Sequence, residues 1–170
     1  MAVLARFWRQ ENRRYRDMQL ALTPLTLNFL IPSLTYFFAP ESALAQFRAM
    51  AGMLGGGDFP HAEQSDLWRV LASANVFTLG VICLLLQLDV RRFAAVIPVF
   101  AVLKGFAALG FLWVWAVETR YPLFLAAFFL DAASVVIVAW FAGRAARSLG
   151  VTPSPSDDRL VPRLRRPRVT

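Results

Sequence analysis

Apolar residues are grouped along this chain in four long segments, separated by shorter polar stretches. The segments lie at about residues 18–38, 67–88, 92–116 and 121–141. An apolar run of about eighteen residues or more is long enough for a helix to cross the hydrocarbon core of a bilayer. The pattern therefore predicts an all-α integral membrane protein, built as a bundle of four transmembrane helices.

Two charged residues interrupt the third and fourth segments, which only residues 117–120 connect. So short a connection makes the two helices antiparallel neighbours. At a rise of about 1.5 Å per residue, Lys104 lies about 22 Å from the middle of this turn and Asp131 about 19 Å. An unpaired charge near the bilayer centre costs about 3 kcal/mol or more. We therefore expect an ion pair between these side chains, facing the bundle interior.

The first two segments also carry a polar residue near the centre. Asn28 is the midpoint of the first segment, and Pro32 frees its backbone carbonyl from the helical hydrogen-bond pattern. Thr78 is the centre of the second segment. The sequence thus predicts one intramembrane polar layer, formed by Lys104, Asp131, Asn28 and Thr78. This layer either holds the helices in register, which is the favoured interpretation, or belongs to a proton, ion or ligand path.

Polar stretches before, between and after the spans complete the predicted organisation. Residues 1–17 form a basic, amphipathic arm, which is either an interfacial helix or a solvated segment. Pro40-Glu41-Ser42 begins a short amphipathic helix in the first loop, on the extracytoplasmic side, and Gly55-Gly56-Gly57 ends it. Residues 18–143 hold the four-helix domain, and 144–170 form an extended tail rich in arginine and proline. The arginines expected to dock on anionic lipid headgroups or a partner are Arg6, Arg9, Arg13, Arg14, Arg16, Arg163, Arg165, Arg166 and Arg168.

Basic residues alternate across the predicted spans. The chain has 18 basic and 11 acidic residues, a formal net charge of +7. Fourteen of the basic residues fall on one side of the four spans and three on the other, with Lys104 between them. Because cytoplasmic loops carry the excess of lysine and arginine, we expect a multi-pass protein of the cell (inner) membrane with both termini in the cytoplasm.

The layout resembles that of the DoxX-like small four-helix membrane proteins. The resemblance rests on the four spans, the loop entered through Phe38-Ala39-Pro40-Glu41, and a short arginine turn between the second and third spans. It covers most of residues 18–143 and implies the same four-helix fold, in a group whose functions vary. Cys83 is the only cysteine, so the chain lacks the paired cysteines of redox-active proteins of this general shape.

Candidate chemistry is sparse. A single histidine, His61, excludes a bis-histidine haem within this chain, and we expect no cofactor, no metal site and no nucleic-acid partner. The first hypothesis is a non-catalytic accessory subunit of a larger membrane complex, held by lateral helix packing and basic cytoplasmic arms. The alternative is a small proton- or ion-coupled transporter that uses Lys104 and Asp131. A third hypothesis, an enzyme acting on lipid or quinone, has only Glu118, His61 and Arg120 as candidate groups.

Overall fold

A computed structural model of the chain describes residues 12–56 and 66–150, and all regular structure in these residues is helical. The α-helices are α1 (Arg13–Phe38), α2 (Pro40–Met53), α3 (Asp66–Leu88), α4 (Val90–Phe93), α5 (Ile97–Trp113) and α6 (Pro122–Ser148). A 3₁₀ turn over Ala94–Val96 precedes α5, and a π-helical turn over Val114–Glu118 follows it.

Within residues 12–56 and 66–150, four helical stretches are long and apolar enough to cross a membrane. They are Arg13–Phe38, Arg69–Leu88, Val90–Glu118 and Pro122–Ser148. The third combines α4, the 3₁₀ turn, α5 and the π-helical turn. The predicted all-helical architecture with four such helices is therefore found.

The first and last helices are longer than the membrane spans predicted within them. α1 begins at Arg13, five residues before the predicted span, and the Asn12 side chain accepts a hydrogen bond from the backbone N–H of Tyr15 (3.1 Å) and caps the helix. α6 continues to Ser148, so residues 144–148, predicted as the start of the extended tail, are helical; Gly150, with φ of 75°, follows the helix. Both extensions carry arginines, which a prediction based on hydropathy leaves outside the spans. The remaining predictions for residues 1–11 and 151–170 lie outside the described residues.

The long helices are arranged in the lateral order α3, α1, α6, α5. α1 packs along α3 on one side and against α6 on the other, and α6 packs along α5. The bundle is open between α3 and α5, which make few close approaches. Gly80 permits the close contact of α1 with α3, because a Cβ atom there would lie 2.6 Å from Leu30 Cδ2.

The two ends of the bundle differ in charge. The Ser148 hydroxyl lies 3.3 Å from Asn12 Oδ1, so α1 begins where α6 ends. The Tyr15 hydroxyl donates to the Gln87 carbonyl oxygen (2.9 Å), which brings the turn between α3 and α4 to the same end. We call this the basic end, since most arginines of the described residues lie there. The main apolar core, which includes Met18, Leu22, Leu86, Phe100, Val138 and Ala142, fills the half of the bundle nearer to it.

α2 lies at the opposite end. Ala39, with φ of −139° and ψ of 61°, separates it from α1, and Pro40 occupies its first turn. α2 buries Ala43, Leu44 and Ala51. Gly56, just after it, lies so close to Tyr121 that a Cβ atom would be 3.2 Å from the phenol ring. The helix is thereby held against the start of α6.

Candidate functional site

The Lys104 ammonium and the Asp131 carboxylate form a direct ion pair between α5 and α6. Lys104 is 8% exposed and Asp131 9%, so both charges lie inside the protein, Lys104 halfway along α5 and Asp131 about a third of the way along α6. Their contact neutralises two groups that would each be costly to bury alone. The hairpin of α5 and α6 therefore has an internal polar centre of zero net charge.

One aromatic ring, that of Phe29, covers the lysine from the side of α1. Its Nζ atom lies 4.9 Å from the centroid of the Phe29 ring, within range of a cation–π interaction. Phe29 in turn contacts Phe100, with ring centroids 6.0 Å apart and an interplanar angle of 58°. The ion pair thus joins α5 to α6 and also reaches α1, the helix next to α6.

Small residues beside the pair let α5 and α6 approach closely. Ala108 lies one turn after Lys104 and is 4% exposed. Ser134 lies one turn after Asp131, and its hydroxyl donates to the Asp131 carbonyl oxygen (2.7 Å). The Ser134 hydroxyl thus donates its one hydrogen bond to the backbone of its own helix, as serine side chains within helices often do. It therefore does not donate to the Asp131 carboxylate, which pairs with Lys104.

The structure does not bring Asn28 or Thr78 to this pair. Both side chains are exposed, and the Thr78 hydroxyl donates to the Ala74 carbonyl oxygen of its own helix (2.8 Å). The reason is helix rotation: the buried face of α1 carries Thr26, Phe29 and Ser33, and Asn28 points about 100° away from Phe29. The predicted four-residue layer is thus reduced to Lys104 and Asp131, with Phe29 in the place expected for Asn28.

A second polar cluster lies nearer the basic end, between α1 and α3. We call it the Gln87 network; it consists of Tyr15, Gln19, Thr23, Thr26 and Gln87. The Gln87 carbonyl oxygen accepts from the Tyr15 hydroxyl and the Gln19 amide, both at 2.9 Å. The Gln87 side chain bonds the Thr26 hydroxyl (2.6 Å), the Cys83 carbonyl oxygen (3.2 Å) and the Thr23 hydroxyl (2.9 Å). One atom, Gln19 Oε1, is buried without a partner in the described residues.

This network was not predicted from the sequence, although its signal is present there. Tyr15, Gln19, Thr23 and Thr26 recur at intervals of three or four residues, which places them on one face of a helix. Gln87 is an uncharged polar residue at the end of an apolar segment, where it is easily assigned to the interface. Only its pairing with α1 identifies it as a buried residue, 2% exposed.

The predicted docking arginines fall into two groups. Arg13, Arg14 and Arg16 are exposed on the first turn of α1 at the basic end. Six lie outside the described residues: Arg6, Arg9, Arg163, Arg165, Arg166 and Arg168.

The groups considered for an enzyme are not assembled into a site within the described residues. Glu118 is exposed in the π-helical turn, and the Arg120 guanidinium lies 5.1 Å from the centroid of the Trp115 ring. His61 lies outside the described residues. Residues 12–56 and 66–150 contain no group of three or more His, Cys, Asp or Glu side chains that could hold a metal ion.

Comparison with known proteins adds no relative: no family model, curated protein or solved structure matches this chain. The resemblance to DoxX-like proteins is neither supported nor opposed by this result and stays a prediction.

Proposed function

We propose that this protein crosses the cell (inner) membrane four times, with the basic end of the bundle in the cytoplasm. The long apolar helices support insertion, since they expose large side chains such as Phe106 (80%) and Leu130 (71%) that water would solvate poorly. The contact of Asn12 with Ser148 supports an arrangement with both helix ends on one side. The excess of arginine at that end supports the cytoplasmic orientation.

Within that membrane we propose a non-catalytic accessory subunit of a larger complex. The observation that carries the proposal is how little of the third and fourth spans the chain itself buries. Only 17% and 11%, respectively, of their apolar 18-residue stretches are buried. These helices present bulky side chains laterally, including Phe106, Leu109, Phe129 and Leu130. The charges of the same hairpin are turned inward onto each other. The hairpin thus presents a large apolar lateral face that the chain itself leaves uncovered, and van der Waals packing against another membrane helix would cover it.

Purification in a mild detergent tests this proposal. The full chain, tagged at its C-terminus and expressed at its natural level, should be recovered with one or more membrane proteins in fixed stoichiometry. Replacement of Phe106, Leu109 and Leu130 by alanine should release those proteins. The matched control replaces exposed apolar residues of α3, Val70, Leu71 and Phe77, and should retain them. A free, monodisperse monomer from native membranes would contradict the proposal.

A small proton- or ion-coupled transporter is the second candidate. One observation favours it: the Gln87 network runs along the buried face of α1 from Tyr15 at the basic end to Thr26, one turn before Phe29, which contacts Lys104. A line of polar groups that leads toward a buried ion pair is typical of a proton or ion path. In that case Asp131→Asn should abolish transport by the reconstituted protein while leaving it folded. Loss of folding would favour the structural role.

A further inference from the structure

The outward face of α6 carries two arginines where the helix reaches the basic end of the bundle. Trp140, Arg144 and Arg147 are spaced by four and three residues, so they lie on one face of the helix, and all three are exposed. A rotation of about 100° per residue places this face opposite to the one that buries Val138 and Ala142. We call these three exposed residues the Arg144 face.

Both arginine side chains of the Arg144 face lie back along the helix, toward the middle of the bundle. The Arg144 guanidinium lies 5.2 Å from the centroid of the Trp140 ring, one turn earlier. The Arg147 Nη1 atom lies 3.7 Å from the position of a Cβ atom at Gly143, so this side chain also covers the preceding turn. Like charges one turn apart on a helix repel each other. Two positive groups held in this way are therefore complementary to an anion.

No carboxylate in the described residues neutralises these arginines. Asp17 and Asp89 lie at the same end, but neither forms an ion pair there. Asp89 Oδ1 instead accepts hydrogen bonds from the backbone N–H groups of Arg91 and Arg92 (3.0 and 3.2 Å). Against these two acids, the described residues of the basic end include seven arginines: Arg13, Arg14, Arg16, Arg91, Arg92, Arg144 and Arg147. This surplus attracts a group of net negative charge and repels the ammonium of a zwitterion.

The depth of the Arg144 face in the proposed membrane placement matches that of lipid phosphates. About 20 residues of helix cross the hydrocarbon core, so a span that begins at Tyr121 leaves the core near Phe141. Trp140, a residue type that favours the interface, then lies at this boundary. Gly143 and Arg144 lie about 3–5 Å beyond it, within a headgroup layer about 5–7 Å thick. The anion that meets both arginines at this level is a phosphate of the bilayer itself.

We infer that the Arg144 face binds an anionic glycerophospholipid of the cytoplasmic leaflet, with the guanidinium groups of Arg144 and Arg147 donating hydrogen bonds to its phosphate oxygens. One acyl chain of this lipid lies along Trp140 and Val136, which continue the same face into the hydrocarbon and are 55% and 65% exposed. Stacking on Trp140 orients the planar Arg144 guanidinium and leaves its N–H edges free, so little side-chain entropy is lost on binding. The inference rests on the membrane placement proposed above, but not on the accessory-subunit role.

A comparison of two lipids with identical acyl chains tests the inference. The purified full chain in non-ionic detergent is titrated with phosphatidylglycerol or phosphatidylethanolamine, and bound lipid is counted by native mass spectrometry. Wild-type protein should bind phosphatidylglycerol more tightly at one site. Arg144→Gln and Arg147→Gln should each weaken that binding about five-fold, the effect of one arginine at a membrane surface. The double variant should bind both lipids equally. Glycerol phosphate should not displace the lipid, because it lacks the chain that contacts Trp140 and Val136.

Arg14→Gln is the matched control. It removes the same charge from the same end of the bundle. Helical side chains tilt toward the helix N-terminus, however, so Arg14 at the start of α1 points away from the membrane, whereas Arg144 and Arg147 near the end of α6 point back toward it. Because charge effects decay over a distance of about 8–10 Å, Arg14→Gln should weaken phosphatidylglycerol binding by less than about two-fold.

Four outcomes would overturn the inference. The first is equal binding of the two lipids by wild-type protein, and the second is a preference for phosphatidylglycerol that persists in the double variant. The third is an equal loss in Arg14→Gln and Arg144→Gln, which would show that binding follows net charge alone. The fourth is displacement of the lipid by glycerol phosphate. Because no partner protein is present, failure here leaves the accessory-subunit proposal to its own test.

Discussion

The Lys104–Asp131 pair and the Gln87 network are both buried between helices, but they satisfy their polar atoms in different ways. The pair joins α5 to α6 through one contact between opposite charges, among side chains that are otherwise small or apolar. The network joins α1 to α3 through several neutral hydrogen bonds. The Thr23 hydroxyl has two acceptors within reach, and the Thr26 hydroxyl donates to a carbonyl oxygen of its own helix. The ion pair depends on one contact, whereas hydroxyl groups of the network have acceptors that do not depend on Gln87.

This difference implies different responses to substitution. Removing one member of a buried ion pair leaves an uncompensated charge, which costs far more than the pair contributes when intact. Removing one member of a neutral network costs less when the remaining groups can turn to other acceptors. We therefore expect the hairpin to be intolerant of single changes at its polar centre, and the contact of α1 with α3 to be tolerant of them.

The largest effect is expected at the ion pair. Lys104→Met leaves Asp131 charged and unpaired, and Asp131→Asn leaves Lys104 without its counter-charge. Each should lower the free energy of unfolding by about 3–5 kcal/mol. Steric-trapping measurements of unfolding in lipid bicelles provide the value.

The double variant Lys104→Met with Asp131→Asn separates a charge effect from a packing effect. It removes both charges and approximately retains the volumes, so it should recover most of the lost stability. A double variant no more stable than the less stable single variant would show that the site depends on the shape of the two side chains and not on their charges. The difference in tolerance expected between the ion pair and the neutral Gln87 network would then have no basis.

A smaller effect is expected where α1 and α3 approach most closely. In Gly80→Ala the added methyl group would lie 2.6 Å from Leu30 Cδ2, so the Leu30 side chain must move. Overpacking costs about 1–3 kcal/mol, and alanine recovers about 1 kcal/mol of helix propensity, so we expect a net loss of up to about 2 kcal/mol. The same bicelle measurement applies. Gly105→Ala on α5 is the control, because no atom within 4 Å would meet its Cβ, and it should be neutral or stabilising.

Segment length and residue counting were enough to predict much of the fold. Four apolar runs indicated four long helices, and distance from the turn at 117–120 placed Lys104 and Asp131 at one depth. The helix ends were less predictable, since Asn12 and the arginines of α6 are polar residues within or beside helices. The lateral order of the helices could not be predicted, because it depends on local fits such as that of Gly80 with Leu30.

Rotation about the helix axis explains what the sequence reading got wrong at the polar centre. Counting residues gives the depth of Asn28 and Thr78 but not the direction in which they point. Neighbouring residues on the same helices, Phe29 and Leu79, face the interior instead. A rotation of about 100° per residue is enough to move a side chain from core to surface. The polar residues of α1 that do face inward, such as Thr26, were identifiable only by their spacing.

The smallest effects are expected within the Gln87 network. Gln87→Leu removes the amide, but the Thr23 hydroxyl keeps the Gln19 carbonyl oxygen (2.8 Å) and the Thr26 hydroxyl keeps that of Leu22 (2.9 Å). The backbone carbonyl of residue 87 can still accept from Tyr15 and Gln19. All three side-chain hydrogen bonds of Gln87 are lost, but the two threonine hydroxyls are not left unpaired, so the expected loss of stability in bicelles is about 1 kcal/mol or less.

Gln19→Leu tests the tolerance of the Gln87 network at Gln19 Oε1, which has no hydrogen-bond partner in the described residues. The substitution deletes one bond to the Gln87 carbonyl oxygen, which retains the Tyr15 hydroxyl, and it also removes the buried, unpaired Oε1 atom. The loss of a bond and the removal of an unsatisfied acceptor oppose each other, so stability should stay within about 0.5 kcal/mol of wild type. A loss of stability as large as that expected for Lys104→Met would mean that Gln19 Oε1 accepts a hydrogen bond on which the rest of the network depends. The neutral network would then be as intolerant as the ion pair.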